Sequence, residues 1–538
     1  MAKKNGNGEK IKSMERWIWD AACSIRGAAD APKYKEFILP LIFVKRLCDV
    51  FDDEIDRIAD ELQKRNTPAE RSRSKAMQLV ERDKSLVRFY LPIKPKDPEI
   101  ERTWDVIRTL SDKIGQELTD ILREIAKVNK DLQGIIDRID FNATTHGQRD
   151  IDDDRLSKLI EKIAEKRLGL KDVEPDIIGR SYEYLIRKFA EGSGQSAGEF
   201  YTPAEVGIIM AKIMDAEPGM DIYDPCCGSG GLLIKCELEM EAKMSMRSKD
   251  KYAPLQLHGQ EFTPATWAMS KMNMVIHDME GIIEIGDTLR NPKFRKGNSL
   301  KKFDRVVANP MWNQGRDSLS YISDDFFIND ELERFPAGSC GGKIDWGWMQ
   351  HIYSSLKDPL KYPGKAGRAA VVLDTGAASR GSGNQGNNKE KNVRKWFVDE
   401  DLIEGVIYLP ENLFYNTSAP GIIIFMNKAK KHKGKIYLLH AGKEFEKGDP
   451  KNFIPTASIE KIADYYKAFK EDEKFARLVS KDEVVKNDYN ISPSRYIQIT
   501  DAETYRPIGE IVEELNALEE EAVAIDNELK TIFEKLGI

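Results

Sequence analysis

The sequence predicts an α/β protein: a doubly wound, mostly parallel sheet preceded by an α-helical domain and followed by a helical tail. Three observations predict it. From Trp17 to about Asp172 apolar residues recur at helical spacing with no strand alternation. Between Asp221 and about His440 short β-rich runs alternate with helical stretches. From Ile511 to Leu536 apolar residues step alternately by four and three, the spacing of a helix seam. The boundaries implied are 1–172, 173–445 and 446–538, with a partner-binding helix over 507–537. A chain of 538 residues exceeds one ordinary core, so several units are expected from length alone.

The helical region reads as WIWDAACSIRG, then YKEFILPLIFVKRLCDVFDDEIDRIADEL, then DVIRTLSDKIGQELTDILREI, with a Pro-broken connection, PIKPKDPEIER, between the last two. It serves equally well as a cap on the next domain or as a partner-binding element. Seven β-rich runs follow: DIYDP, LHGQEF, IIEIGD, FDRVVANP, GRAAVVLDTG, IEGVIYLP and GIIIFMNK. The first six are far enough apart for crossover helices. Only about ten residues separate Pro410 from Gly421, too few for a parallel crossover, so the seventh strand is expected to be antiparallel. After Pro450 no further strand is expected. The loop RGSGNQGNNKEKN at 380–392 is rich in glycine and asparagine, which points to mobility.

Hydrophobic residues at 41% and charged residues at 32% are globular usage. The start carries positive charge without an apolar core, and no apolar run could span a bilayer, so a cytoplasmic protein with no membrane partner is expected. Six cysteines show neither paired metal-ligand spacing nor a disulfide framework, and the six histidines are scattered, so no metal is expected. Net charge is −7, but residues 501–538 hold 3 basic and 11 acidic side chains, which leaves the body at about +1. Gripping DNA unaided usually takes a basic surplus. Work on DNA would therefore call for a basic partner. The cluster KAKKHKGK at 428–435 is expected to be a solvated hairpin turn.

Candidate chemistry gathers at strand ends. Asp224-Pro225-Cys226-Cys227-Gly228-Ser229-Gly230-Gly231 places a glycine turn between a strand and a helix, where ligands enter open α/β sheets. There, helix N–H groups meet a carboxylate or phosphate, although tight turns alone also select glycine. Glu261 ends the next strand, placed to accept from a ribose diol. It lies 37 positions after Asp224 and no GxGxxG is present, which disfavours a dinucleotide. Asp287 ends the third strand, as an acceptor for an adenine amino group or as an N-cap. Asn309-Pro310-Met311-Trp312 follows FDRVVA. An aryl amine resists methylation because its lone pair is delocalised into the ring. The Asn309 amide oxygen and the Pro310 carbonyl can each accept one amino proton, which draws the nitrogen out of conjugation and aims its lone pair at a sulfonium methyl. Trp312 would stack on a base flipped from the duplex.

With these segments in this order, WIWDAACSIRG, LIFVKRLCD, GEFYTP, DPCCGSGG, GQEF with TWAMSKMNM, NPMW, GRAAVVLDTG and LPENLFYNT, the chain resembles the modification subunit of type I restriction-modification systems. These belong to the N6-adenine DNA methyltransferases, with the signature [DN]PP[FYW]. The resemblance implies a Rossmann-like class I methyltransferase sheet and S-adenosyl-L-methionine as cofactor. It implies that Glu199, Phe200, Tyr201, Thr202 and Pro203 close on the methionine moiety, that Asp224, Gly228, Ser229, Gly230 and Gly231 form the cofactor turn, and that Glu261 meets the ribose. Its partners are double-stranded DNA, a separate specificity subunit that chooses the site, and a restriction subunit, with two copies of this chain per specificity subunit. Met311 stands where the signature has proline, which leaves a less rigid loop. Two alternatives remain at this point: a catalytically weak structural subunit of the same complex, and a protein-glutamine N-methyltransferase.

Overall fold

The central strands form here because their apolar runs are bounded by turn residues and are buried on both faces, which favours β-branched and aliphatic side chains. The computed structural model describes residues 2–24, 31–65, 67–173, 202–247, 252–315, 317–384, 386, 388–414, 417–448 and 451–498, together with scattered positions within 179–188 and 512–525. Among them the main sheet has nine strands: β1 (Asp221–Asp224), β2 (Gln256–Glu261), β3 (Gly281–Ile285), β4 (Arg305–Ala308), β5 (Arg368–Asp374), β6 (Ile403–Tyr408), β7 (Gly421–Asn427), β8 (Lys435–His440) and β9 (Ala476–Ser480). Their order across the sheet is β9-β8-β6-β7-β5-β4-β1-β2-β3.

All seven expected runs are strands, and β7 is antiparallel to both β5 and β6 as its short connection requires. Two strands were not expected. KIYLLH forms β8, parallel to β6, and ARLVS forms β9, antiparallel to β8. The expectation that strands end after Pro450 is thus corrected: the sheet continues to Ser480, past residue 445. Its edge strand is short and only partly buried, a pattern too brief to register as alternation. The lysine segment at 428–435 is not a hairpin turn either, since β8 pairs with β6 and not with β7. Lys430 is buried against Asp401 at 2.5 Å, and Lys428 lies 4.2 Å from the centre of the Tyr353 ring.

Alternate residues of the central strands feed two separate cores. On β7, Ile423 and Phe425 enter the face covered by the helices Ala204–Met214, Gly231–Arg247 and Thr456–Ala468. Ile422, Ile424 and Met426 enter the face covered by Asp345–Ser354 and Lys389–Asp399.

The N-terminal region is helical as expected, with one added two-residue ladder, Thr144–Thr145 against Gln148–Arg149. Its 34-residue helix Ala31–Lys64 supplies much of a third core. Ala268, Met269, Met272 and Ile276 of the helix Pro264–Ile276, which follows β2, join that core. Trp267 sits at the junction, its indole N–H donating to the Ile283 carbonyl at 2.8 Å and the Arg138 guanidinium lying 5.6 Å from its ring centre. Arg88 and Asp278 form an ion pair across it. Of the two roles open to the helical domain, the cap is therefore realised in the fold. No helix among the described residues is long and apolar enough to cross a membrane.

Ile424 is fully buried in β7. Ile424→Ala should lower the stability of the sheet domain by about 2–5 kcal/mol through the lost transfer energy and the cavity left behind, read as a reduced midpoint in urea denaturation.

Candidate active site

The strand order reverses between β1 and β4. The chain moves outward to β2 and β3 on one side of β1, then returns to β4 and β5 on the other, so neighbouring connections leave in opposite directions and open a crevice at the carboxyl ends. The glycine turn follows β1 and Asn309 follows β4, which brings both motifs to that crevice.

The turn is built by glycine geometry and by bonds to its neighbours. Gly228 and Gly230 take φ of +53° and +79°, where a side chain would be strained. A Cβ on Gly230 would also stand 3.2 Å from Met274 of the helix behind it. The Gly228 N–H donates to Glu261 Oε2 at 3.0 Å, the Cys227 N–H to the Gln260 carbonyl at 3.0 Å, and Asn273 Nδ2 to the Ser229 carbonyl at 3.0 Å. Glu261 Oε1 accepts from the Thr263 N–H at 2.8 Å. Glu261 thereby braces the glycine turn, a role its position at the end of β2 did not announce.

An open cleft of about 440 Å³ lies against this turn, lined by Thr202, Pro203, Asp224, Gly228, Ser229, Gly231 and Asn309 among the residues expected from sequence. Ala204, Gly207, Cys226, Cys227, Leu232 and Lys235 also line it and were not singled out as site residues. The signal for Lys235 was its spacing: four residues after Gly231, it projects from the same face of the helix Gly231–Arg247. Gly230, Glu261, Asp287, Pro310 and Trp312 do not line the cleft. Glu199, Phe200 and Tyr201 lie outside the described residues.

Asn309 is nearly buried and its amide is held from both sides. Nδ2 donates to Thr202 Oγ1 at 3.0 Å, and Oδ1 accepts from Trp312 Nε1 at 3.1 Å. One bond crosses 107 positions of sequence and ties the segment before the helix Ala204–Met214 to the loop after β4. The Trp312 ring packs edge-on to Phe414, centroids 4.6 Å apart. A Cβ on Gly421 would meet Phe414 at 2.7 Å and Trp312 at 3.0 Å, so this pairing requires glycine at the start of β7.

Asp287 behaves as a cap, at a turn and not at a helix: Oδ1 accepts from the Leu289 and Arg290 N–H groups, and Oδ2 accepts from Tyr321 at 2.6 Å. Burial, with Glu261 nearby, pushes the Asp224 carboxyl up to about 7. Burial also raises Glu261. Burial and then Asp224 and Glu261 drive the thiols of Cys226 and Cys227 far above their ordinary range, which disfavours the thiolate at both.

A family model described as N-6 DNA Methylase matches residues 173–504, more than half of the chain. The chain belongs to the N-6 DNA methylase family. A second model, described as HsdM N-terminal domain, matches residues 14–163, the helical cap. The chain is 30% identical to the type I restriction enzyme MjaIX methylase subunit of Methanocaldococcus jannaschii, over 98% of this chain and 92% of that protein. It is 36% identical to the MjaVIII methylase subunit of the same organism over 69% of this chain, a match spanning 62% of that protein. In solved structures it resembles the type I restriction-modification methyltransferase subunit from Streptococcus thermophilus, with a TM-score of 0.72, 26% identity, and coverage of 91% of this chain and 100% of that one. This N-6 DNA methylase is an adenine-specific DNA methyltransferase of the type I modification-subunit kind.

The raised Asp224 carboxyl binds its proton more tightly folded than unfolded. Its contribution to stability is present in full below the ordinary value of 3.8 and is lost as pH rises to about 7. Asp224→Asn keeps an oxygen for the Cys226 N–H, which Asp224 now holds at 3.0 Å, and cannot ionise. The variant should gain stability relative to wild type between those two pH values, in urea denaturation across a pH series; parallel curves would show that the buried carboxyl ionises freely.

Proposed function

We propose that the cleft binds S-adenosyl-L-methionine and that the Asn309–Trp312 loop delivers an adenine N6 to it, within a cytoplasmic type I complex. A separate specificity subunit chooses the site in double-stranded DNA, a restriction subunit completes the assembly, and two copies of this chain serve each specificity subunit. The observation that carries this reading is the shared cleft: the glycine turn after β1, Thr202 and Asn309 line one cavity at the reversal of strand order.

The donor set fits this cofactor. The first turn of the helix Gly231–Arg247 and Lys235 present positive potential suited to an amino-acid carboxylate, and Glu261 has lone pairs left for a ribose diol. Asp287 is assigned to the adenine amino group and Glu199 to Pro203 to the methionine end. The bound sulfonium supplies an electrophilic methyl. Asn309 Oδ1 and the Pro310 carbonyl accept the two amino protons of the target, and Trp312 stacks on the flipped base. The bond from Asn309 Nδ2 to Thr202 fixes which face of the amide is oxygen, so the acceptor and not the donor meets the amine. Trp312 Nε1 occupies one lone pair of that oxygen and leaves the other for substrate. The near-neutral body and the helical stretch at 514–522, with Leu515 and Leu518 exposed, support reliance on a partner subunit.

Labelled methyl transfer to plasmid DNA should yield N6-methyladenine only when the specificity partner is present; label without the partner, or in another nucleoside, would refute the reading. Asn309→Ala should reduce transfer by about 10²–10³-fold and leave cofactor binding intact, whereas Gly230→Val should abolish cofactor binding in calorimetry. Equal loss of binding in both variants would sink the division of roles. Thr202→Val should lower kcat by about 10-fold, the worth of one oriented hydrogen bond, and Thr202→Ser should restore it.

A further inference from the structure

Asn313, the residue after Trp312, is held at its backbone N–H, its backbone carbonyl and its side-chain oxygen. Its N–H donates to Asp345 Oδ1 at 3.1 Å, its carbonyl accepts from Lys343 Nζ at 3.0 Å, and its side-chain oxygen accepts from Arg380 Nη1 at 3.0 Å. Its φ of +57° is left-handed, a conformation that asparagine tolerates and most residues do not.

Arg380 is the hub of this grip. One guanidinium bonds Asp374 at the end of β5 (2.7 Å), Glu390 in the first turn of the helix Lys389–Asp399 (2.7 Å), Asp345 at the start of the helix Asp345–Ser354, and Asn313. Asp345 is fully buried and Glu390 nearly so. The backbone around Arg380 is itself anchored. The buried Arg394 donates to the Arg380 carbonyl at 3.0 Å and to Ser382 Oγ at 2.8 Å, and the Gly383 N–H reaches Asp488 at 2.7 Å. The stretch opening at Arg380, expected from its glycines to be mobile, is thus tied down at its start. Burial raises the Asp345 carboxyl to about 6 even beside Arg380, so the guanidinium is what keeps three neighbouring carboxylates together.

We propose that Arg380 is a positioning residue for the Asn309–Trp312 loop, holding its exit at Asn313 and supplying the rigidity that a proline ring at position 311 would otherwise give. The inference rests on the methyl-transfer reading. A loop entering from β4 is fixed at Asn309 by Thr202 and Trp312; Met311 leaves the middle free to rotate about φ, and the clamp at Asn313 closes the far end. Small displacements there move the Pro310 carbonyl relative to the amine, which is costly because transfer depends on near-attack geometry.

The test uses the complex assembled with its specificity partner. Arg380→Met should lower kcat by about 10–100-fold while the KM for cofactor and its binding by calorimetry stay within about twofold. Arg380→Lys, which keeps the charge but not the fork, should recover part of the loss. Adding Met311→Pro to Arg380→Met should raise kcat at least about threefold above Arg380→Met alone. Asn313→Gly, which preserves the left-handed turn and removes only the side-chain bond, gives a smaller kcat loss in a variant that folds even where Arg380→Met does not. A wild-type kcat in folded Arg380→Met, or matched losses in kcat and cofactor affinity, would overturn the proposal. The ¹⁹F resonance of Trp312 in 5-fluorotryptophan-labelled protein, assigned through Trp312→Phe, should shift or broaden in Asn313→Gly and Arg380→Met. This signal separates the two readings: an inactive wild-type complex refutes methyl transfer, whereas an unmoved resonance refutes the clamp.

Discussion

The pairing of β1 with β4 is the constraint on which the site depends. These strands are separated by some eighty residues of chain yet are hydrogen-bonded neighbours, Ile222 opposite Arg305 and Tyr223 opposite Val306. Because both run in the same direction, the turn leaving β1 and the loop leaving β4 emerge side by side at one edge of the sheet. Everything that follows is local consequence: glycine where the backbone must turn tightly, a carboxylate from β2 to brace that turn, and an amide from β4 facing across the cleft. A shift of one residue in this register would send Asn309 to the opposite face.

Electrostatics at this edge are arranged by burial more than by charge. Asp224 and Glu261 sit close together with little water, and both are held by backbone N–H groups in place of cations. The neighbouring cluster around Arg380 works differently, with one cation and three acids. In such a largely buried group desolvation offsets much of the Coulomb attraction.

The central strands were legible because their apolar runs are short and bounded by turn residues, and the position of Asn309 followed from its place at the end of one of them. Ser229 and Gly231 were legible as a glycine turn between a strand and a helix, Thr202 through resemblance to a family segment, and the cleft brings them together. What the sequence concealed has physical causes. β9 is an edge strand of five residues with one face in water, so its pattern is weak. Lys428 and Lys430 read as solvent-facing because lysine usually is, whereas tertiary contacts with Tyr353 and with Asp401 hold the first half-buried and the second buried. The Thr202–Asn309 bond and the Asn313 clamp join residues far apart in sequence, and no local periodicity encodes such a contact. Asp287 illustrates the reverse: of the two roles its position offered, capping is visible in the local backbone, and Oδ2 keeps a lone pair for the other.

The helix Pro264–Ile276 carries one further consequence. One side backs the glycine turn through Ser270 and Met274, and the other is embedded in the core of the N-terminal helices through Met269, Met272 and Ile276. The two folding units therefore share a wall. Neither can be excised or exchanged with a relative's at a loop boundary without baring an apolar surface, and a working chimera would have to carry residues 264–278 along with the helical half.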